Sequence, residues 1–90
     1  MKNTLIIYSS IDGHTKKISA KIAEYLSERE NVDLVSLSDV KALSLKNYQH
    51  IIIGASIRYG NYRKDLFEFI DKNLEDLNEK ENAFFSVNVV

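Results

Sequence analysis

Three short apolar runs, Thr4–Tyr8, His50–Gly54 and Phe84–Val90, are separated by stretches of helical periodicity, and that alternation leaves few folds open. The first run, Thr-Leu-Ile-Ile-Tyr, is β-branched or aromatic at most positions and reads as a strand buried on both faces. From Thr15 to Arg29, Ile18, Ile22, Ala23, Tyr25 and Leu26 fall at helical spacing, with Lys16, Lys17, Lys21, Glu24 and Glu28 elsewhere, so an amphipathic helix is expected. Val32–Leu37 has a mixed pattern that suits an edge strand. Ser38–Tyr48 is polar and irregular, with a helical turn expected around Ala42–Leu45. After the second buried strand, Ala55–Asn61 is expected to form a loop. Lys64–Glu79 places Leu66, Phe67, Ile70, Leu74 and Leu77 along a second helix, and Asn82–Ala83 precede the last apolar stretch. Strands alternating with helices of this length imply right-handed crossovers and a parallel sheet, an α/β fold. Ligands of such sheets bind at the carboxyl ends of the strands, where the strand order reverses.

Composition narrows the function. Ninety residues make one domain at most, and 12 basic side chains against 13 acidic ones leave a net charge of −1. No basic stripe marks a nucleic-acid binder. The absence of cysteine removes disulfide, thiol and thiolate-metal chemistry. His14 and His50 are far apart and lack acidic partners at ligand spacing, so no metal site is expected. The opening residues are too quickly broken by polar ones for a signal peptide, and no run approaches the roughly 20 apolar residues of a spanning helix. A cytoplasmic protein is the expectation. The chain has no proline and three glycines, Gly13, Gly54 and Gly60, each following an apolar run where a strand should give way to a turn.

The loop Ser9-Ser10-Ile11-Asp12-Gly13-His14-Thr15 carries the chemistry. Hydroxyls, a glycine and a helix start are what a phosphate needs, because amide N–H groups point at the anion and the helix dipole favours it. Lys16 and Lys17 in the first turn cost about 0.3–1 kcal/mol against that dipole, a sign that a bound dianion would reverse. Two readings stay open on these residues alone: an anion site, or an Asp or Thr helix cap followed by solvated lysines. Neither G-x-G-x-x-G nor G-x-x-x-x-G-K is present, so a mononucleotide suits the loop better than a dinucleotide or a nucleoside triphosphate.

Ile6–Thr15 resembles the flavodoxin signature, an apolar strand followed by Ser/Thr-x-x-Gly-x-Thr, with Ser10, Gly13 and Thr15 at its fixed positions. Ser19 stands where that signature usually has alanine. The run Ile51-Ile52-Ile53-Gly54-Ala55-Ser56-Ile57-Arg58-Tyr59-Gly60-Asn61-Tyr62 is similar to the loop after the third strand of the menaquinone-dependent protoporphyrinogen IX dehydrogenases. Ala83–Val90 resembles their fourth strand and the loop after it. The resemblance covers the whole chain, and the family's carboxyl-terminal half is missing from it.

The resemblance implies a flavodoxin-like three-layer sandwich with a parallel sheet, order 2-1-3-4 of 2-1-3-4-5, truncated after the fourth strand; residues 1–90 would be the amino-terminal half of an FMN-binding domain. It implies FMN as cofactor, held by Ser9, Ser10, Ile11, Asp12, Gly13, His14 and Thr15 at the phosphate. Ala55, Ser56, Ile57, Arg58, Tyr59 and Gly60 would flank the ring, and Ser86, Val87 and Asn88 would begin a third loop. Gly54 and Gly60 would allow close backbone approach to the flavin, Tyr59 or Tyr62 could lie against its ring, and Arg58 could meet reduced flavin or a porphyrinogen propionate. The implied activity is oxidation of protoporphyrinogen IX to protoporphyrin IX in haem biosynthesis, with electrons passed to a quinone. The implied location is cytoplasmic, either free or peripheral on the inner face of the cell membrane. No side chain need act as nucleophile or base, since the chemistry belongs to the flavin. A generic flavodoxin-like electron carrier and a non-catalytic module without flavin are the alternatives. An open fourth strand and a bare sheet face lead us to expect a homo-oligomer.

Overall fold

Four parallel strands, β1 (Asn3–Ser9), β2 (Asn31–Ser36), β3 (His50–Arg58) and β4 (Glu81–Val89), form one sheet in the order β2-β1-β3-β4. The structure is a computed structural model that describes residues 2–9, 13–40, 45–58 and 64–89, with the backbone alone at 57–58 and 87–89. Helix α1 (His14–Leu26) joins β1 to β2, a 3₁₀ turn at Leu45–Asn47 precedes β3, and α2 (Lys64–Lys72) and α3 (Leu74–Asn78) join β3 to β4. The expected flavodoxin-like order is therefore present, with β2 at an edge as its mixed pattern implied.

Register assigns the two faces. Ile6 pairs with Ile52, Ile7 with Ile53 and Ser9 with Ala55, and paired residues of parallel neighbours share a face. One face presents Leu5, Ile7, Ile51, Ile53 and Ala55, which pack with Leu37, Val40, Leu45, Tyr48, Leu66 and Leu77 into a single apolar core under α2 and α3. Each fully buried Leu or Ile there is worth about 1.5–3 kcal/mol. The other face presents Thr4, Ile6, Ile52, Gly54 and Ser56, and α1 lies on it.

The elements differ from the sequence expectation at four places. Strand β3 runs on to Arg58 where a loop was expected from Ala55, because Ala55–Arg58 continue the ladder with Ser86–Val89 of β4. β4 begins at Glu81 rather than Phe84, since a ladder needs backbone partners and not apolar side chains; His50 pairs with Glu81 and Ile51 with Asn82. The expected helix over 64–79 is broken at Asn73, whose φ of −114° and ψ of 19° leave the helical region. The Asn73 side-chain amide donates to the Phe69 carbonyl at 2.9 Å and its backbone N–H donates to the same oxygen at 3.1 Å, so this carbonyl closes the end of α2. Finally, the buried stripe of α1 runs through Thr15 and Ser19, while Ile18 and Tyr25 are 40% and 66% exposed. Of the turn expected around Ala42–Leu45, residues 41–44 lie outside the described residues.

Tyr48 locks the 3₁₀ segment to β2: its phenol donates to Asp33 Oδ2 at 2.6 Å. That bond, with burial and the carboxylate's charge adding to it, pushes the phenol up to about 12. At the amino edge of the sheet Lys2 Nζ donates to Glu81 Oε2 at 2.7 Å, tying the start of β1 to the start of β4 across β3. The pairing raises the ammonium and lowers the carboxyl.

Candidate functional site

Because all four strands are parallel, their carboxyl ends share one edge. The chain leaves β1 for β2 on one side and leaves β3 for β4 on the other. The strand order thus reverses between β1 and β3, and a crevice opens at such a point. Ser9 ends β1 beside Ala55, and Gly13 stands immediately before α1. The sequence segments 9–15, 55–60 and 86–88, far apart along the chain, converge on this edge wherever they are described.

Gly13 has a φ of +90°, a left-handed conformation that costs an L-residue about 1–2 kcal/mol. Among the described residues, a Cβ built there meets nothing within 4 Å. The position thus demands glycine for its backbone and offers open space beside it, the combination that lets a ligand approach main-chain atoms. Having no side chain, Gly13 cannot cap α1, and the first turn contains no acidic residue. Lys16 and Lys17 are exposed on that turn. The dipole and both cations therefore place positive potential at this end of α1. Of the two cap candidates in the sequence, Thr15 is excluded: it lies inside the helix, and Asp12 lies outside the described residues.

Thr15 is instead fully buried, and its Oγ1 sits 2.5 Å from Oγ of Ser56 on β3, itself 1% exposed. This hydroxyl pair pins the first turn of α1 to the carboxyl end of β3. Ser9 is also buried, at 4% exposure. His14 opens α1 and is exposed. Ala55 turns its methyl into the apolar core on the opposite face, leaving only its backbone to the site. Ile57 and Arg58 close β3, and Val87 and Asn88 lie near the end of β4 beyond an exposed Ser86. Ser10, Ile11, Asp12, Tyr59, Gly60 and Tyr62 lie outside the described residues.

Three features were missed in the sequence. Gly54, read as leaving room for a ligand, lies inside β3, and the Phe85 ring of β4 occupies the place where its Cβ would project. Ser19 Oγ is buried with no hydrogen-bond partner. The Thr15–Ser56 bond joins residues 41 positions apart; the Thr15 to Ser19 spacing of one helical turn was the available signal that polar side chains point at the sheet. Phe67 and Phe84 are 53% and 49% exposed, whereas Phe69 packs against the core. A groove of about 410 Å³ on the other side of the sheet is floored by Leu37, Val40, Leu45 and Phe69, with Asp65, Glu68 and Lys72 beside it. Among the described residues no cluster of metal-ligating side chains occurs and no helix is long and apolar enough to cross a membrane.

A family described as flavodoxin domain matches residues 5–90. The chain belongs to the flavodoxin domain family. Among curated relatives, this flavodoxin-domain chain is 39% identical over 88 residues to protoporphyrinogen IX dehydrogenase (quinone) of Escherichia coli strain K12, covering 97% of the chain and 49% of that protein. It is 37% identical to the protein of the same name from Leishmania major, covering 94% and 38%. The chain thus spans about half or less of the length of these relatives, which fits an amino-terminal half. Among solved structures, the flavodoxin of Fusobacterium nucleatum bound to flavin mononucleotide aligns with a TM-score of 0.77 at 19% identity, covering 98% of this chain and 53% of that one. A flavodoxin from the domain Archaea aligns with a TM-score of 0.73 at 16% identity, covering 97% and 83%. At these identities the two structures establish the fold.

Proposed function

We propose that this flavodoxin-domain chain binds FMN and is the phosphate-holding half of an oxidoreductase of the protoporphyrinogen IX dehydrogenase type. The observation that carries the reading is the start of α1: a positive-φ glycine with open space beside it, two lysines, and the buried hydroxyls of Thr15 and Ser56, all at the β1/β3 crevice. A phosphate dianion fits that donor set, and this crevice is the general FMN position of flavodoxin-like sheets. The names of the two relatives support the substrate class, protoporphyrinogen IX, and a quinone as acceptor.

In this reading Ser9 to Thr15 hold the phosphate, Ala55 to Gly60 border the ring, and Ser86, Val87 and Asn88 begin the third wall. FMN, when bound, supplies reversible electron transfer between porphyrinogen and quinone. The chain's own residues bind, orient and shield it; none is required as nucleophile or base. In this proposal the chain works in haem biosynthesis in the cytoplasm, at the inner face of the cell membrane, where an electron acceptor of the quinone class would lie. β4, the outer strand among the described residues, with Phe84 half exposed on it, supports association with a second copy.

The test is to add FMN to the purified chain and separate it by gel filtration. Flavin bands travelling with the protein are expected, and subsequent porphyrin fluorescence from protoporphyrinogen plus a soluble quinone marks the dehydrogenase. A chain that elutes free of flavin overturns the FMN reading. One that binds flavin but forms no porphyrin is a generic electron carrier. Sedimentation of a well-folded monomer at micromolar concentration would remove the second copy.

A further inference from the structure

Resting on the FMN reading above, we infer that Ser56 is a positioning residue for the phosphate: it acts through Thr15 by setting the direction in which the Thr15 hydroxyl donates. The two oxygens are 2.5 Å apart and both side chains are buried, at 0% and 1% exposure. In a hydroxyl pair one partner donates and the other accepts, and either order is compatible with the distance. The two orders are not equivalent toward an anion. If Thr15 donates to Ser56, Thr15 turns lone pairs outward and repels negative charge. If Ser56 donates to Thr15, the Thr15 proton is released to point elsewhere, and each bond of such a chain strengthens the next.

An anion at the end of α1 selects the second order, in which the bond donated by Ser56 holds the Thr15 hydroxyl in place and polarises its proton toward the anion. The surroundings leave few competitors. Thr15 lies in the first turn of α1, whose preceding residue has no side chain to cap the helix. Ser19, one turn further along the same buried stripe, has its hydroxyl unpartnered, so it does not take the Thr15 bond from Ser56. Because Ser56 stands on β3 and Thr15 on α1, the same bond couples the phosphate end of the crevice to the strand that leads into residues 57–60. Ser56 therefore weighs more on recognition of the phosphate than on recognition of the ring.

The experiment compares FMN with riboflavin, which lacks the phosphate, on the full chain by quenching of flavin fluorescence. Wild type is expected to prefer FMN. Ser56→Ala should weaken FMN by about five- to tenfold more than it weakens riboflavin, the size of one hydrogen bond; Ser56→Thr, which restores a hydroxyl, should recover the FMN preference. Should Ser56→Ala lose its helical circular dichroism, Ser56→Cys keeps the volume with a poor donor and reads the same ratio. A fall of equal factor for both flavins, or no fall for either, makes the bond purely structural and overturns the inference alone. A wild-type chain that binds neither flavin, or both equally, overturns the phosphate reading itself, and the inference with it.

Discussion

The two faces of the sheet are built on different principles. Under α2 and α3, every contact residue of the core is a hydrocarbon or an aromatic, and the largest are almost fully buried. Under α1, the buried side chains include Thr4, Thr15, Ser19 and Ser56, and β3 contributes a glycine. Thr4 donates to Glu30 Oε1 at 2.9 Å, and Thr15 and Ser56 satisfy each other. A hydroxyl contributes less than a methyl to burial and is costly when left unbonded. The first face is therefore optimised for cohesion, and the second carries donors where α1 meets the carboxyl edge. The lesson is that stability and recognition are segregated by strand alternation: one residue of each adjacent pair serves each side.

The largest effect should come from the apolar face. Leu66→Ala, at a position 1% exposed, should lower unfolding free energy by about 2–5 kcal/mol, read from the denaturant midpoint; a loss below about 1 kcal/mol would mean that this core is not close-packed. Tyr48→Phe comes next, at about 1–2 kcal/mol for the lost bond to Asp33. Its pH signature sharpens the point. The folded phenol is raised from 10.0 to about 12, so its contribution is complete below pH 10 and is lost as pH rises through 12. The wild type should lose stability across that window relative to Tyr48→Phe, and parallel alkaline curves would remove the Asp33 bond as the cause.

Smaller effects are expected on the α1 face. Gly54→Ala drives its new methyl into the Phe85 ring. Overpacking costs about 1–3 kcal/mol, and the low end is expected because Phe85 is only partly buried and its ring can turn outward. Thermal unfolding measures the loss. Ser19→Ala should move in the opposite direction and stabilise by about 1 kcal/mol, by removing an unpartnered buried hydroxyl and improving helix propensity. Destabilisation by Ser19→Ala would show that the hydroxyl has a partner, and the contrast between the faces would weaken accordingly.

Much of the fold was legible in order and spacing. The apolar runs at 4–8 and 51–53 announced central strands because a strand covered on both faces needs apolar residues throughout. The loop at 9–15 announced itself through Gly13, whose left-handed backbone no other residue adopts cheaply. Less legible were boundaries controlled by a partner strand. Ala55–Arg58 look like a loop until β4 supplies the ladder, and Asn73 looks helical until its backbone leaves the helical region after the last bonds to the Phe69 carbonyl. The rotation of α1 was also hidden: its apolar residues suggest Ile18 facing inward, but the bond between Thr15 and Ser56 accompanies a turn of the helix that leaves Ile18 outside.

By itself, the sequence determined the succession of strands and helices, the glycine before α1 and the hydroxyl-rich loop, since each follows from local sterics and from the period of its apolar residues. Only the tertiary structure decided what those groups touch. Whether Gly54 makes room for a ligand or for Phe85, and whether Thr15 caps a helix or bonds Ser56, depends on register between strands far apart in the chain. Register is a property of the assembled sheet, set by the simultaneous burial of one face and the pairing of backbones, and no single segment contains it.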